Sequence, residues 1–154
     1  YSLRQRLDLV VNILTNLAYH KREITVFGGN QLRPNIHIKD MVRAYETVIK
    51  SDNQKVNGKI FNVGYENQTI NDLASSVKKV IGDDVQVITS HSDDNRSYHI
   101  SSDKIKRELN FNTKFTINDA INDLKKAFDN KKLTNTFDDI DFFNIKKMQS
   151  INLK

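Results

Sequence analysis

No cysteine occurs among the 154 residues, which excludes a disulfide framework, a thiol nucleophile and a thiolate metal site. This fits a reducing compartment, and the expected location is cytoplasmic. No apolar run is long enough to span a bilayer, and the N-terminus lacks the plan of a signal peptide, so no membrane partner is expected. The four histidines, His20, His37, His91 and His99, show no metal-ligand spacing, and no metal site is expected. A net charge of +5 and a pI near 9.3 would allow nucleic-acid binding. The basic residues, however, are scattered among acidic ones, and no element interleaves aromatic and basic side chains, so nucleic acid is not the expected partner. The length suits one domain with a real core, and no repeat or low-complexity linker divides it.

Proline is scarce too. Its single occurrence, Pro34, follows an arginine in the stretch 24–40, ITVFGGNQLRPNIHIKD. A β-type run, Ile24 to Phe27, is broken by Gly28 and Gly29. The chain then reaches Arg33, which Pro34 pushes toward extended geometry. A guanidinium held this way suits a planar anion bound through two parallel hydrogen bonds. The same pattern also suits a surface arginine beside a turn.

The remaining chain reads as an α/β unit. Leu7, Val10, Val11, Leu14, Leu17 and Ala18 follow helical spacing, with Asp8 in the first turn. A second helix is expected from about Asp40 to Lys50, burying Met41, Ala44, Tyr45, Val48 and Ile49. Lys59 to Val63 reads as a short buried strand stopped by Gly64. Thr69 with Asp72, and Thr116 with Asp119, form capping boxes opening two further helices. Val85 to Thr89 alternates as a strand, and Ser102 opens a short helix through Leu109. The whole chain is taken as one unit, 1–154, with 131–154 as a loosely packed C-terminal tail.

Five pieces, in order, resemble the C-terminal part of the extended short-chain dehydrogenase/reductase family, the NAD-dependent nucleotide-sugar epimerases and dehydratases, with the nearest look to the UDP-galactose 4-epimerase group. They are RLDLVVN (6–12), ITVFG (24–28), RPNIHIKD (33–40), FNVG (61–64), and Tyr98 with the run SDKIKRELNF ending at Phe111. The resemblance implies the C-terminal part of an extended Rossmann-type NAD(P)-binding fold with a mixed α/β substrate-binding region. Members bind NAD through a glycine-rich turn and react through a Tyr-x-x-x-Lys pair. This sequence contains neither. The chain is therefore expected to be a C-terminal fragment, inactive alone, with no catalytic residue and with NAD held mainly by the missing half. The full-length enzyme is expected to be a homodimer. A non-catalytic nucleotide-sugar binding module is the alternative.

The resemblance also implies a substrate site. Asp8 and Leu9 would face the nucleotide diphosphate, with the backbone amides of the helix start making the contact because a carboxylate would repel it. Thr25 and Phe27 would flank the base, Phe27 by stacking, although plain edge-strand packing explains them equally. Arg33 would clamp the diphosphate. Ile70 would line the base pocket or simply pack in the core. Asp94, Arg96 and Tyr98 would lie on the ribose and phosphate side. There His91 stands where an arginine is usual, and Arg96 would supply that charge. Asp40, at the head of the second helix, reads as a capping residue.

Overall fold

The computed structural model describes residues 1–2, 4–93 and 96–152. Its first long element is helix α1, Val10–Lys21, which Arg22 ends in the left-handed conformation. Strand β1, Glu23–Phe27, follows directly, and its side chains alternate as the two-residue period of a strand requires. Ile24 and Val26 are buried, whereas Thr25 and Phe27 face the opposite way. Strand β2, Leu32–Asn35, contains Arg33 and Pro34. Helix α2 then spans Ile38–Lys50 and a single helical turn, α3, Asn53–Val56.

Strand β3 is Glu66–Thr69, and helix α4, Ile70–Ile81, leaves it without a loop. The Thr69 hydroxyl accepts the Asp72 N–H at 3.1 Å and the Asp72 carboxylate accepts the Thr69 N–H at 3.2 Å, which completes the expected capping box. Strand β4, Gln86–Ser90, leads by a long loop to helix α5, Asp103–Leu109. Helix α6, Ile117–Asp129, opens on the second capping box, Thr116 with Asp119. A 3-10 turn at Ile140–Phe142 and helix α7, Asn144–Ser150, complete the described chain.

Two two-stranded sheets result. β1 and β4 pair in parallel, with Thr25 opposite Ile88, while β2 and β3 pair antiparallel, with Arg33 opposite Gln68. One core joins Leu14 and Ala18 of α1, Ile24 and Val26 of β1, Leu73 and Val77 of α4 and Ile117 and Ile121 of α6. A second cluster gathers Leu7, Leu124, Phe128 and Leu133, with Phe142 and Phe143 against it. Within the stretch 131–154, then, Leu133 to Phe143 touches the core, and α7 buries no residue.

Three readings change. Leu7 and Asp8 precede α1 rather than start it, because Leu7 leaves the helix line to fill the second cluster. The face of α2 is mostly open: Met41 and Val48 are half-buried, and Tyr45 (67 % exposed) and Ile49 (80 %) are bare. Ala44 is the one apolar residue of α2 that is buried. Lys59 to Val63 forms no strand. Phe61 and Val63 do turn inward, onto Ala44, Ile105 and Phe111, but no strand among the described residues lies beside them and Ile60 is 81 % exposed. A strand exists only where a neighbour accepts its ladder of hydrogen bonds.

Asp40 is fully buried at the third residue of α2. Its carboxylate accepts the N–H groups of Lys114 and Phe115, each at 2.9 Å, and pairs with Arg43. Arg43 lies over the Phe111 ring and donates to the carbonyl of Asn112. Asp40 thus fastens the segment before α6 to α2, beyond the local capping read from sequence. The helix is capped instead by His37, whose Nδ1 accepts the Lys39 N–H at 3.1 Å.

Two outcomes are expected. Asp40→Asn puts an amide NH2 among three donors, and should lower stability by about 1.5–3 kcal/mol in urea unfolding. The open α2 face should make the 154-residue chain self-associate, so that its sedimentation mass rises with concentration. Tyr45→Lys combined with Ile49→Lys should reduce that rise, whereas a monomer at all concentrations would show the face to be inert.

Candidate substrate-binding cavity

Thr25 and Phe27 point away from the core because β1 alternates, and this opens a surface between β1, β2 and the chain leading into α1. An open cavity of about 1060 Å³ lies there. Asp8, Leu9, Thr25, Phe27, Arg33 and Ile70 all line it, although they come from four separate places in the sequence. Its wall is mainly apolar, and its charged side chains include Arg4, Arg6 and Arg33. A smaller cavity of about 440 Å³, lined by Gly64, Asn67, Ser102 and Lys106 among others, contains none of the anticipated residues.

Phe27 ends β1 with its ring 59 % exposed, so one aromatic face is available to a planar group. The backbone of β1 pairs with β4 along one edge, and its other edge carries no strand among the described residues. Ile70, the first residue of α4, is half-buried; it packs against the main core and also lines the cavity.

Arg33 sits inside β2, not between two strands. Its Nη1 donates to its neighbour Leu32's carbonyl at 2.9 Å and to the carbonyl of Arg96 at 2.7 Å, and its guanidinium lies 5.3 Å from the Tyr98 ring centre. The loop carrying Arg96 and Tyr98 is tied to the same place, since the Leu32 N–H donates to the Ser97 hydroxyl and the Tyr98 N–H to the Leu32 carbonyl. Arg96 therefore meets Arg33 through its backbone. His91 instead pairs with Asp93 at 2.9 Å in full solvent. Asp94 lies outside the described residues.

Asp8 does not present a bare charge. Arg6 donates to it through Nε at 2.9 Å and Nη2 at 3.2 Å, and the Asn144 N–H donates at 2.9 Å. Partial burial pushes its pKa up, but the Arg6 hydrogen bond, the Asn144 N–H and the Arg6 charge together outweigh this and hold it below the ordinary 3.8. Beside it, Leu9 precedes α1 without capping it through any side chain. Arg6 was not anticipated, although an arginine two residues before an aspartate hints at the pair.

Gln31 was also missed. Its side-chain oxygen accepts the Gly29 N–H at 2.7 Å, and its NH2 donates to the Phe27 carbonyl at 3.3 Å. A glycine pair followed closely by an amide side chain is the only signal for this that the sequence holds.

Among the described residues, no cluster of three or more His, Asp or Glu could hold a metal ion, and no helix is long and apolar enough to cross a membrane.

Known proteins share this fold. Residues 4–64 match the NAD dependent epimerase/dehydratase family. The fold is similar to that of UDP-glucose 4-epimerase from Thermotoga maritima with UDP-glucose, with TM-score 0.72, 22 % identity, 86 % of this chain and 44 % of that one. It is similar to UDP-glucuronic acid 4-epimerase from Bacillus cereus in complex with UDP-glucuronic acid and NAD, with TM-score 0.70, 21 % identity, 83 % of this chain and 43 % of that one. L-threonine dehydrogenase from Phytophthora infestans also matches, with TM-score 0.69, 15 % identity, 79 % of this chain and 41 % of that one. The chain thus spans less than half the length of each of these structures. At such identities the likeness establishes a shared Rossmann-type α/β fold.

Because the pKa of Asp8 is depressed in the folded state, its pairing contributes stability above about pH 3.8 and loses it as pH falls through the lower folded value. Asp8→Asn should therefore be less stable than the wild-type chain near neutrality. In urea unfolding, the two should converge as the pH drops below the ordinary carboxylate range.

Proposed function

We propose that these 154 residues form the nucleotide-sugar-binding part of an NAD-dependent nucleotide-sugar epimerase or dehydratase. The observation that carries this is the convergence, on one cavity, of an aromatic face at Phe27, a guanidinium at Arg33 and the start of α1 beside Leu9. The family match over residues 4–64 supports the same reading. The full-length enzyme would be a cytoplasmic homodimer.

The base lies against Phe27, with Thr25 on the same face of β1 and Ile70 closing the apolar wall. The diphosphate lies toward Arg33, where a charge-assisted hydrogen bond contributes about 1.5–3 kcal/mol. To engage it, the Arg33 guanidinium exchanges its bond to the Arg96 carbonyl for one to phosphate oxygen, while Tyr98 keeps the guanidinium plane in place. Asp8, already neutralised by Arg6, adds little repulsion, and the uncapped amides of α1 face the same anion. Arg96 completes the ribose and phosphate side.

NAD, when bound, supplies the hydride acceptor for oxidation of the sugar. The present residues do not fit that group: none of the five glycines forms a Gly-x-x-Gly-x-x-Gly turn. The dinucleotide and the proton-transferring tyrosine are therefore assigned to residues other than these, and the role of this chain is to bind and orient the substrate. A binding module without turnover would use the same cavity.

Calorimetric titration with UDP-glucose and its dTDP-, GDP- and CDP- counterparts tests the reading. At least one should bind, and the chain alone should turn over none. Arg33→Ala should weaken the best ligand by about tenfold to a hundredfold, with Arg33→Lys intermediate because it keeps the charge without the fork. Unchanged binding on Arg33→Ala would leave Arg33 as a strand residue only.

A further inference from the structure

Phe27 and Arg33 belong to different sheets, β1–β4 and β2–β3, so no shared ladder fixes their separation. Along the chain the connection 28–31 joins them, and it contains two glycines at φ +75° and +112°. Such a connection is intrinsically loose, because glycine populates many backbone states at little cost. We propose that Gln31 is the positioning residue that removes this freedom, and so presents the base-stacking ring and the phosphate-binding arginine at one separation.

Three observations carry this. The Gln31 amide bonds both ends of the turn at once, accepting from Gly29 and donating to Phe27. The turn is shaped around amide side chains: a Cβ on Gly28 would lie 2.4 Å from the Gln31 Nε2, and one on Gly29 would lie 2.4 Å from the Asn71 Oδ1. The Gln31 carbonyl accepts the Ile70 N–H at 3.2 Å, and the Gly29 carbonyl accepts the Asn71 N–H at 3.0 Å. These backbone bonds register the start of α4, and Ile70 with it, against the turn that the clasp closes. Gln31 bonds the backbone of Phe27 and of Ile70 while its own side chain is absent from the cavity wall.

The consequence for binding rests on the nucleotide-sugar reading above; the clasp itself does not. A ligand whose base and diphosphate are tethered gains from binding both at once only if the two subsites keep a matching spacing. Loss of the clasp should spare each subsite and cost the linkage between them.

The test uses the 154-residue chain, with Gln31→Ala, which removes both bonds, and Gln31→Glu, which keeps an acceptor for Gly29 but faces the Phe27 carbonyl with oxygen. Without ligand, Gly29 amide exchange should quicken in Gln31→Ala, and NMR order parameters at Phe27 and Gly28 should fall. With ligand, UDP-glucose should weaken by about tenfold in Gln31→Ala, while uridine and inorganic pyrophosphate each stay within about twofold. Gln31→Glu should fall between. Unchanged exchange and order in Gln31→Ala would overturn the clasp. Equal weakening of all three ligands with a lowered melting temperature would reduce Gln31 to a structural role and overturn the positioning claim. If the wild-type chain binds none of the three, the nucleotide-sugar reading fails and the claim on linkage falls with it, whereas exchange and order still decide the clasp.

Discussion

A carboxylate taken wholly out of water must be matched by donors or the fold does not tolerate it. Asp40 is such a group, and the way it is satisfied organises the chain. Two backbone N–H groups from Lys114 and Phe115 and the guanidinium of Arg43 converge on it. This brings the residues just before α6 against the start of α2. Thr116 can then cap α6, and Ile117 and Ile121 reach the main core beside Leu73 and Val77. On its other side, α2 begins four residues after Pro34, so the same anchor steadies the strand that carries Arg33. His37 adds to it by capping α2, stacking on Phe115 and lying 3.4 Å from Asp123.

The cavity depends on a second, smaller device. β1 must deliver Thr25 and Phe27 to one face while Ile24 and Val26 go to the core, which two-residue alternation ensures. β2 must deliver Arg33 to the same space from another sheet. The turn between them joins the packed strand to the cavity wall. There Gly28 and Gly29 give room, and Gln31 and Asn71 occupy it.

Local signals were legible in the sequence. Both capping boxes are visible as Thr-x-x-Asp, and both helices start where they should. Non-local facts were not. Strand β3, Glu66–Thr69, has no apolar alternation; it is held by pairing with β2 and by Asn67, whose amide bonds Ile100 in both directions at 2.8 and 3.0 Å. Lys59 to Val63 has a strand's composition and, among the described residues, no neighbour to pair with. The burial of α2 could not be read either, since a helical stripe reports a capacity to be covered and not whether a cover is present. Of the anticipated site, six residues do share a cavity, and Arg96 and Tyr98 adjoin it through Arg33. The pairing of Arg6 with Asp8 and the Gln31 amide bridge depend on side-chain directions that spacing alone does not give.

We propose that this chain meets a nucleotide sugar in the cavity between β1, β2 and the start of α1. The most direct measurement is a titration of the isotope-labelled chain with UDP-glucose, followed by amide chemical-shift changes across the sequence. The account predicts changes concentrated at Leu9 to Val11, Thr25 to Gly29, Arg33, Ile70 and Tyr98. Changes centred instead on Gly64, Asn67 and Ser102, around the smaller cavity, would contradict it, as would no change at millimolar ligand.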